Sequence, residues 1–373
     1  MTVSGLRKDG MEYRSGMNTG SGAPNGAAGG AAGRRTILSL AGFVLTGAVL
    51  LTYAIVYGVY YVSAEAGSDL FAPGGTPLLL LNTAACYLVV MPIAASSIGF
   101  IRKKTMSYPA AAPGKLSAGP FVVCCVCFAL VYGGTALGQI FDSLFAGVSG
   151  GGGSAVELPG DAAGIAVYAF SILVAAPIAE ELLFRRSLCE LLRPFGERMA
   201  AAASALLFAA FHASIGQFFY AFAAGLLFGY VYLKTGRLRY TVILHIAVNL
   251  FAGLLPLLID TFLLDREAVA QAYGIMSEWL SGGGASVMPA AEVIELLGPQ
   301  LPGLAAETLL MGVFRGMALA GVFMSFPLRE KISLKKGPLS LGKGETGYTF
   351  FLAPGILVFL TVSIALAILS YYI

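Results

Sequence analysis

The sequence predicts an all-α fold, a polytopic membrane helical bundle with about nine transmembrane helices. Hydrophobic residues form 57% of the 373 residues and charged residues only 12%, whereas an average soluble domain has about 25% charged residues. Crossing the hydrocarbon core takes about 20 apolar residues. Nine runs of suitable length lie near 37–62, 77–101, 117–146, 162–192, 199–215, 217–234, 240–264, 303–327 and 348–372.

The distribution of Lys and Arg between these runs predicts the orientation of the bundle, because basic residues are enriched in cytoplasmic segments. The N-terminal tail is basic, whereas the acidic segment 265–302 contains a single Arg. Further basic residues lie in 102–115, 193–198, 234–239 and 329–343, and none in 63–76, 147–161 and 213–217. We therefore predict that the N-terminus is inside and that the C-terminus and the 265–302 segment are outside.

Composition also divides the chain into regions. Residues 1–35 are rich in Gly, Ala, Asn and Ser and predict a disordered cytoplasmic tail. Residues 36–373 then form the membrane domain, in which 147–161 is a flexible linker and 289–298 a short interfacial helix. The net charge of +3 is spread in short clusters between apolar runs, which excludes a nucleic-acid-binding face.

The chain contains two histidines, and both lie inside apolar runs. His212 ends the sequence FAAFH, which begins at Phe208, and His245 begins the sequence HIAVN, which ends at Asn249. A third apolar run contains EELLFRR, residues 180–186. Because ionisable groups within a membrane are costly, this set predicts a functional site.

The glutamates of EELLFRR have different expected environments. Residues four apart share a helix face, so Glu181 can form an ion pair with Arg185 while Glu180 points about 100° away. Counting from the basic ends of the helices at about 1.5 Å per residue places Glu180 and His212 at one depth of about 20 Å. The same count places Asn249 at about 15 Å and His245 at about 9 Å.

These groups are suited to peptide-bond hydrolysis. A carboxylate beside an imidazole can hold and deprotonate a water molecule, and a second imidazole with a carboxamide can donate hydrogen bonds to an oxyanion. The HExxH motif of zinc proteases does not occur in the sequence. We favour a reaction without a cofactor, but Glu180, His212 and His245 could form an open three-ligand zinc site.

The three sequences resemble the EExxxR, FxxxH and HxxxN/D motifs of the CPBP family of intramembrane proteases. That family includes the type 2 CAAX prenyl proteases, bacteriocin-processing proteins and abortive-infection proteins. The resemblance covers residues 160–255, the expected catalytic core. It implies the following roles: Glu180 and His212 activate water, His245 and Asn249 stabilise the oxyanion, Glu181 and Arg185 support them, and Phe208 packs beside the cavity. Arg186 departs from the small residue that the family often has there.

Arg315 is a further charged residue at the centre of an apolar run. One interpretation is an interhelical ion pair with Glu307 or Asp260. The other is that Arg315 binds a carboxylate of the substrate. The spacings of Gly225 with Gly229 and of Gly312 with Gly316 favour close helix packing.

The sequence therefore predicts a multi-pass intramembrane endopeptidase of the cell membrane, most simply a bacterial plasma membrane. Its expected partners are the lipid bilayer and a membrane-associated protein or peptide, such as a CAAX tail, a leader peptide or an anchored regulator. Two alternatives stay open. One is a proton-coupled transporter, and the other is a non-catalytic scaffold that binds membrane peptides.

Overall fold

The computed structural model describes residues 30–106, 108–116, 118–149, 161–281, 289–329, 333–340, 342 and 345–372. Over these ranges the chain is helical and contains no strand. The helices are α1 (Ala31–Glu65), α2 (Thr76–Thr105), α3 (Pro120–Ser149), α4 (Ala162–Phe195), α5 (Glu197–Phe211), α6 (Ile215–Thr235), α7 (Leu238–Leu263), α8 (Arg266–Leu280), α9 (Ala290–Leu297), α10 (Leu301–Leu328), α11 (Glu345–Phe351) and α12 (Pro354–Leu369). The predicted tail 1–35 and linker 147–161 lie mostly outside the described residues.

The predicted polytopic helical bundle is confirmed. Seven helical stretches of the described chain are long and apolar enough to cross a membrane, namely α1, α2, α3, α4, α6, α7 and the continuous stretch Ala290–Leu328. Two predicted spans are shorter. Helix α5 has 15 residues and α12 has 16, or about 22 and 24 Å of rise, less than the hydrocarbon core of about 30 Å. Nine crossings and their orientation stay predictions.

The sequence and the structure differ in two regions. The predicted span 348–372 is divided into α11 and α12, and α12 begins at Pro354, which disfavours helical backbone in the residue before it. The segment 265–302 contains the unpredicted helix α8 as well as α9, which corresponds to the predicted short helix 289–298. Asp265 begins α8, where its side chain accepts hydrogen bonds from two backbone N–H groups.

The N-terminal ends of α2 and α4 are joined by Asp161. Its carboxylate caps the N-terminus of α4 by accepting a hydrogen bond from the backbone N–H of Gly164, and it also accepts one from the hydroxyl of Thr76 at the start of α2. The Gly164 bond, followed by the Thr76 bond, lowers the pKa of this carboxyl below its usual range. The cap therefore fixes where the helix that carries EELLFRR begins.

Helices α5 and α6 approach each other closely through small residues. A Cβ atom on Gly225 would lie 3.1 Å from the Cα of Ala205, and one on Gly229 would lie 3.2 Å from the Cα of Ala201. The predicted packing role of this glycine pair is confirmed. The same packing role is wrong for Gly312 and Gly316, because a Cβ at either position would meet no heavy atom of the described chain within 4 Å.

Ion pairs gather the ends of four helices at one end of the bundle. The Glu190 carboxylate near the end of α4 is 3.5 Å from Arg102 of α2 and 3.2 Å from Arg193. Glu197 at the start of α5 is 3.9 Å from Lys234 of α6 and accepts a hydrogen bond from the backbone N–H of Lys335. The basic segments that predict the cytoplasmic side therefore lie together.

Candidate active site

Two of the three helices that carry the motifs, α4 and α7, are locally widened. Four π-helical segments occur in the described chain, at Ala84–Val90 in α2, Ser171–Ala175 and Glu181–Cys189 in α4, and Asn249–Leu254 in α7. Such segments change the direction of the side chains that follow them and are frequent at functional sites. Here each one contains a residue of the site or contacts one. The sequence motifs contain no signal for this widening.

His245 lies between the two adjacent glutamates. Its Nδ1 is 3.2 Å from Oε1 of Glu181, and its Nε2 is 3.5 Å from Oε2 of Glu180. The side chains of Glu180 and His245 are less than 9% exposed, and that of Glu181 is fully buried. The imidazolium form, with a hydrogen on both nitrogens, can donate toward both carboxylates.

The depth estimate that separated His245 from Glu180 is wrong. The estimate assumes straight helices of constant rise parallel to the membrane normal, whereas α4 and α7 contain π-helical segments and cross at this point. The structure thus brings Glu180 to His245, and no hydrogen bond or ion pair joins Glu180 and His212 among the described residues.

Arg185 forms the expected ion pair with Glu181, since its Nε lies 3.3 Å from Oε2 of Glu181 and both side chains are fully buried. The three guanidinium nitrogens nevertheless have no hydrogen-bond acceptor among the described residues. The distance fits an ion pair, but the alignment does not fit a hydrogen bond. The guanidinium instead lies over two aromatic rings, 4.6 Å from the Phe208 ring centre and 5.5 Å from that of Phe228.

His212 has a defined hydrogen-bonding state. Its Nδ1 lies 2.9 Å from the backbone oxygen of Phe208. Because a carbonyl oxygen only accepts, Nδ1 must donate, so the neutral ring has its lone pair on Nε2. His212 is the C-cap residue of α5, and the next residue, Ala213, has a positive φ of 45°. A side-chain-bearing residue in this strained conformation is typical of functional turns.

Phe208 and Asn249 connect the motifs to one another. The Phe208 ring centre is 4.9 Å from that of His212 and 5.9 Å from that of His245, which makes this ring the shared contact of the two histidines. The side-chain nitrogen of Asn249 donates a hydrogen bond of 2.7 Å to the backbone oxygen of Ile172 in α4. Asn249 retains a second N–H for another acceptor.

Several residues beside the motifs were not predicted. Phe228 of α6 is buried against both Arg185 and His245, and its position between Gly225 and Gly229 was a usable signal, since those glycines predict a close helix contact. Thr241 lies near the Glu181 carboxylate, and its hydroxyl donates a hydrogen bond to the backbone oxygen of Leu238. Cys86 and Tyr87 of α2 and Tyr220 of α6 lie within electrostatic range of Glu180. Nothing in the motifs indicated these three.

The ion pair proposed for Arg315 is wrong. Asp260 and Glu307 both pair with Arg266 at the start of α8, and the Glu307 distance is 3.1 Å. Arg315 itself is exposed on α10, and no described carboxylate lies within ion-pair distance of it. The sequence analysis considered both acidic residues as partners of one arginine. It did not identify Arg266 as that arginine.

The predicted zinc ligands are not assembled into one site. Among the described residues no three His, Cys, Asp or Glu side chains are close enough together to hold a metal ion. Glu180 and His245 are adjacent, whereas His212 forms no hydrogen bond or ion pair with either of them among the described residues. The dependence of the reaction on zinc stays a prediction.

Comparison with known proteins supports the interpretation of the motifs. The family model for the Rce1-like type II CAAX prenyl endopeptidases matches residues 162–251. This range begins with α4, ends within the π-helical segment of α7 and includes Glu180, His212, His245 and Asn249. No curated protein and no solved structure matches the chain. Residues 162–251 are thus similar to the Rce1-like type II CAAX prenyl endopeptidases, which confirms the resemblance of the three motifs to the CPBP family of intramembrane proteases.

Proposed function

We propose that the protein hydrolyses a peptide bond of a membrane-associated substrate and that Glu180 is the general base. One observation carries this proposal. Within the Rce1-like domain, the buried Oε2 of Glu180 has no hydrogen-bond partner among the described residues, although it lies 3.5 Å from an imidazole nitrogen. A buried carboxylate without a partner is costly. Such a group is expected where the carboxylate has to accept a proton.

The proposed reaction moves one proton through Glu180. Its carboxylate removes a proton from water as the oxygen of that water attacks the carbonyl carbon of the peptide bond. The C–N bond then breaks, and Glu180 returns the proton to the nitrogen of the leaving amine. His212 assists the first step, because the lone pair on its Nε2 can accept a hydrogen bond from the same water.

The oxyanion of the tetrahedral intermediate requires hydrogen-bond donors. At 3.5 Å, the contact of His245 Nε2 with Glu180 is longer than a normal hydrogen bond, so this N–H can turn to a substrate oxygen. The second side-chain N–H of Asn249 supplies another donor. The two histidines thus have separate roles: His212 presents an acceptor to the water, and His245 presents a donor to the oxyanion.

The substrate is a peptide segment at or within the bilayer, because the site lies among helices long and apolar enough to span a membrane. A prenylated CAAX tail, a leader peptide and a membrane-anchored regulator all fit this class. We place the protein in a cell membrane, most simply that of a bacterium.

The test of this function is a comparison of membranes that contain the wild-type protein with membranes that contain Glu180→Ala. New peptide ends in the wild type that are absent from the variant, identified by mass spectrometry of labelled N-termini, are the expected result. A binding scaffold predicts the same termini in both samples, with substrate retained on both proteins. A transporter predicts proton-coupled solute uptake that Glu180→Ala removes. Adding a chelator to the wild-type assay tests the dependence on zinc.

Arg315 provides a separate prediction about the substrate. Its exposed guanidinium in the middle of α10 has no carboxylate partner among the described residues, so we assign it to a carboxylate of the substrate. Arg315→Gln is expected to raise KM about tenfold and to leave kcat unchanged, because the contact contributes equally to substrate and transition state. Arg329→Gln, in a basic segment at the end of α10, is the matched control. An unchanged KM in Arg315→Gln would contradict the assignment.

A further inference from the structure

We propose that Phe228 is a positioning residue of the active site, which holds the His245 imidazole toward Glu180 and Glu181 through the faces of an aromatic ring. This inference rests on the proposed function. Phe228 is 1% exposed and lies on α6, which carries none of the three motifs. Its importance follows from what it contacts: the ring lies against Arg185 on α4 and His245 on α7.

The first step of the argument concerns Arg185. A buried guanidinium normally has hydrogen-bond acceptors for its N–H groups. Here Nε, Nη1 and Nη2 have none among the described residues, and the nearest carboxylate belongs to Glu181. Phe208 and Phe228 lie over the guanidinium instead, at 4.6 and 5.5 Å. The negative faces of these rings therefore compensate a cation that lacks hydrogen-bond partners.

The second step concerns His245. The same two rings contact this imidazole, Phe228 at 5.4 Å with an interplanar angle of 34°, and Phe208 at 5.9 Å with an angle of 88°. The tilted ring of Phe228 packs against the imidazole, while the perpendicular ring of Phe208 restricts its rotation. An imidazolium in this setting is stabilised by aromatic faces as well as by the two carboxylates.

The third step is the charge of the cluster. Glu180, Glu181 and Arg185 together carry one net negative charge, so a protonated His245 makes the buried cluster neutral. A neutral cluster costs less within a membrane than an uncompensated charge. Because Phe228 contacts both cations of this cluster, its ring favours the form of His245 that can donate to an oxyanion.

The fourth step is how the sequence places the ring. Gly225 and Gly229 let α6 approach α5, and a Cβ on Gly225 would lie 3.2 Å from Cδ1 of Phe208. Phe228 lies between these glycines, so the close approach brings it beside Phe208 and over Arg185. Leu at this position would fill most of the space but would present no aromatic face.

The experiment replaces Phe228 with 4-fluoro-, 3,5-difluoro- and 3,4,5-trifluorophenylalanine, which keep the ring and progressively weaken its negative face. We expect kcat to fall stepwise by about tenfold over the series, because a displaced catalytic group reduces the rate, while KM stays constant. In Phe228→Leu, kcat should fall at least as far. In Phe228→Tyr, which retains the aromatic face, most of the wild-type kcat should remain.

Phe314 of α10 is the matched control. It is buried in the same apolar cluster as Phe228, packs on Phe128 and contacts neither Arg185 nor His245. The same fluorinated series at Phe314 should leave kcat unchanged. Equal losses at the two positions, or a constant kcat over the Phe228 series, would overturn the positioning role and leave Phe228 as a packing residue.

A spectroscopic measurement separates this inference from the proposed function. Since the chain contains two histidines, ring-¹⁵N-histidine labelling gives two sets of signals, and His212→Gln assigns them. We expect two protonated nitrogens for His245 and one for His212 in the wild type, and a changed or broadened His245 pattern in Phe228→Leu. An unchanged ¹⁵N pattern of His245 in Phe228→Leu would contradict the positioning role even if cleavage were lost. If the wild type shows no cleavage but the ¹⁵N pattern of His245 still changes in Phe228→Leu, the proposed function is contradicted instead.

Discussion

Glu180→Gln should reduce the rate of peptide cleavage by about 10³-fold, because general-base catalysis contributes about 10² to 10⁴-fold and the amide cannot accept the proton. The variant should nevertheless stay folded. Oε2 of Glu180 has no hydrogen-bond partner among the described residues, and the contact with His245 is 3.5 Å. The measurement is kcat/KM with a peptide substrate, together with the thermal unfolding temperature in detergent.

The neighbouring glutamate provides the control for this prediction. Glu181→Gln makes the same chemical change one residue later, but Glu181 is fully buried against Arg185 and receives a hydrogen bond from His245. Its replacement should lower both activity and the unfolding temperature. A Glu180→Gln variant that retains more than a tenth of the wild-type rate would contradict the general-base role. An equal loss of unfolding temperature in both variants would show that Glu180 is structural.

The sequence predicted the membrane fold because hydrocarbon thickness sets the length of apolar runs. It also predicted the pairing of Glu181 with Arg185, since a spacing of four residues brings side chains together even in the π-helical segment of α4. Pro354 indicated locally that the last predicted span is divided, but that span was predicted from the length of its apolar run alone.

The arrangement of the histidines could not be predicted in this way. Counting residues from basic helix ends gives depth only for straight helices, and it placed His245 far from Glu180, with which it is in contact. The roles suggested by the motifs stay predictions. The structure gives the hydrogen-bond partners, namely the Phe208 carbonyl for His212 and the Glu181 carboxylate for His245. Phe228 was missed because its contacts join helices far apart in sequence.

Arg185→Met is expected to lower the free energy of unfolding by about 3 to 5 kcal/mol, because removing one member of a buried pair leaves an uncompensated charge. Methionine keeps an unbranched apolar side chain beside Phe208 and Phe228, so the lost volume is small. Unfolding of the purified protein in detergent micelles, followed by circular dichroism, measures the effect. Arg102→Met, which removes a partly exposed arginine from the ion pair with Glu190, should cost less.

The double variant Glu181→Gln/Arg185→Met decides whether the unpaired charge is the cause. It removes both charges, and replacing a buried pair with neutral groups is often neutral for stability. The double variant should therefore be more stable than either single variant, with a favourable coupling of about 2 kcal/mol or more. Its activity should stay low, because His245 has lost the carboxylate 3.2 Å from Nδ1 that orients it. Stabilities that simply add would show that Glu181 and Arg185 act independently, and recovered activity would show that His245 does not depend on Glu181.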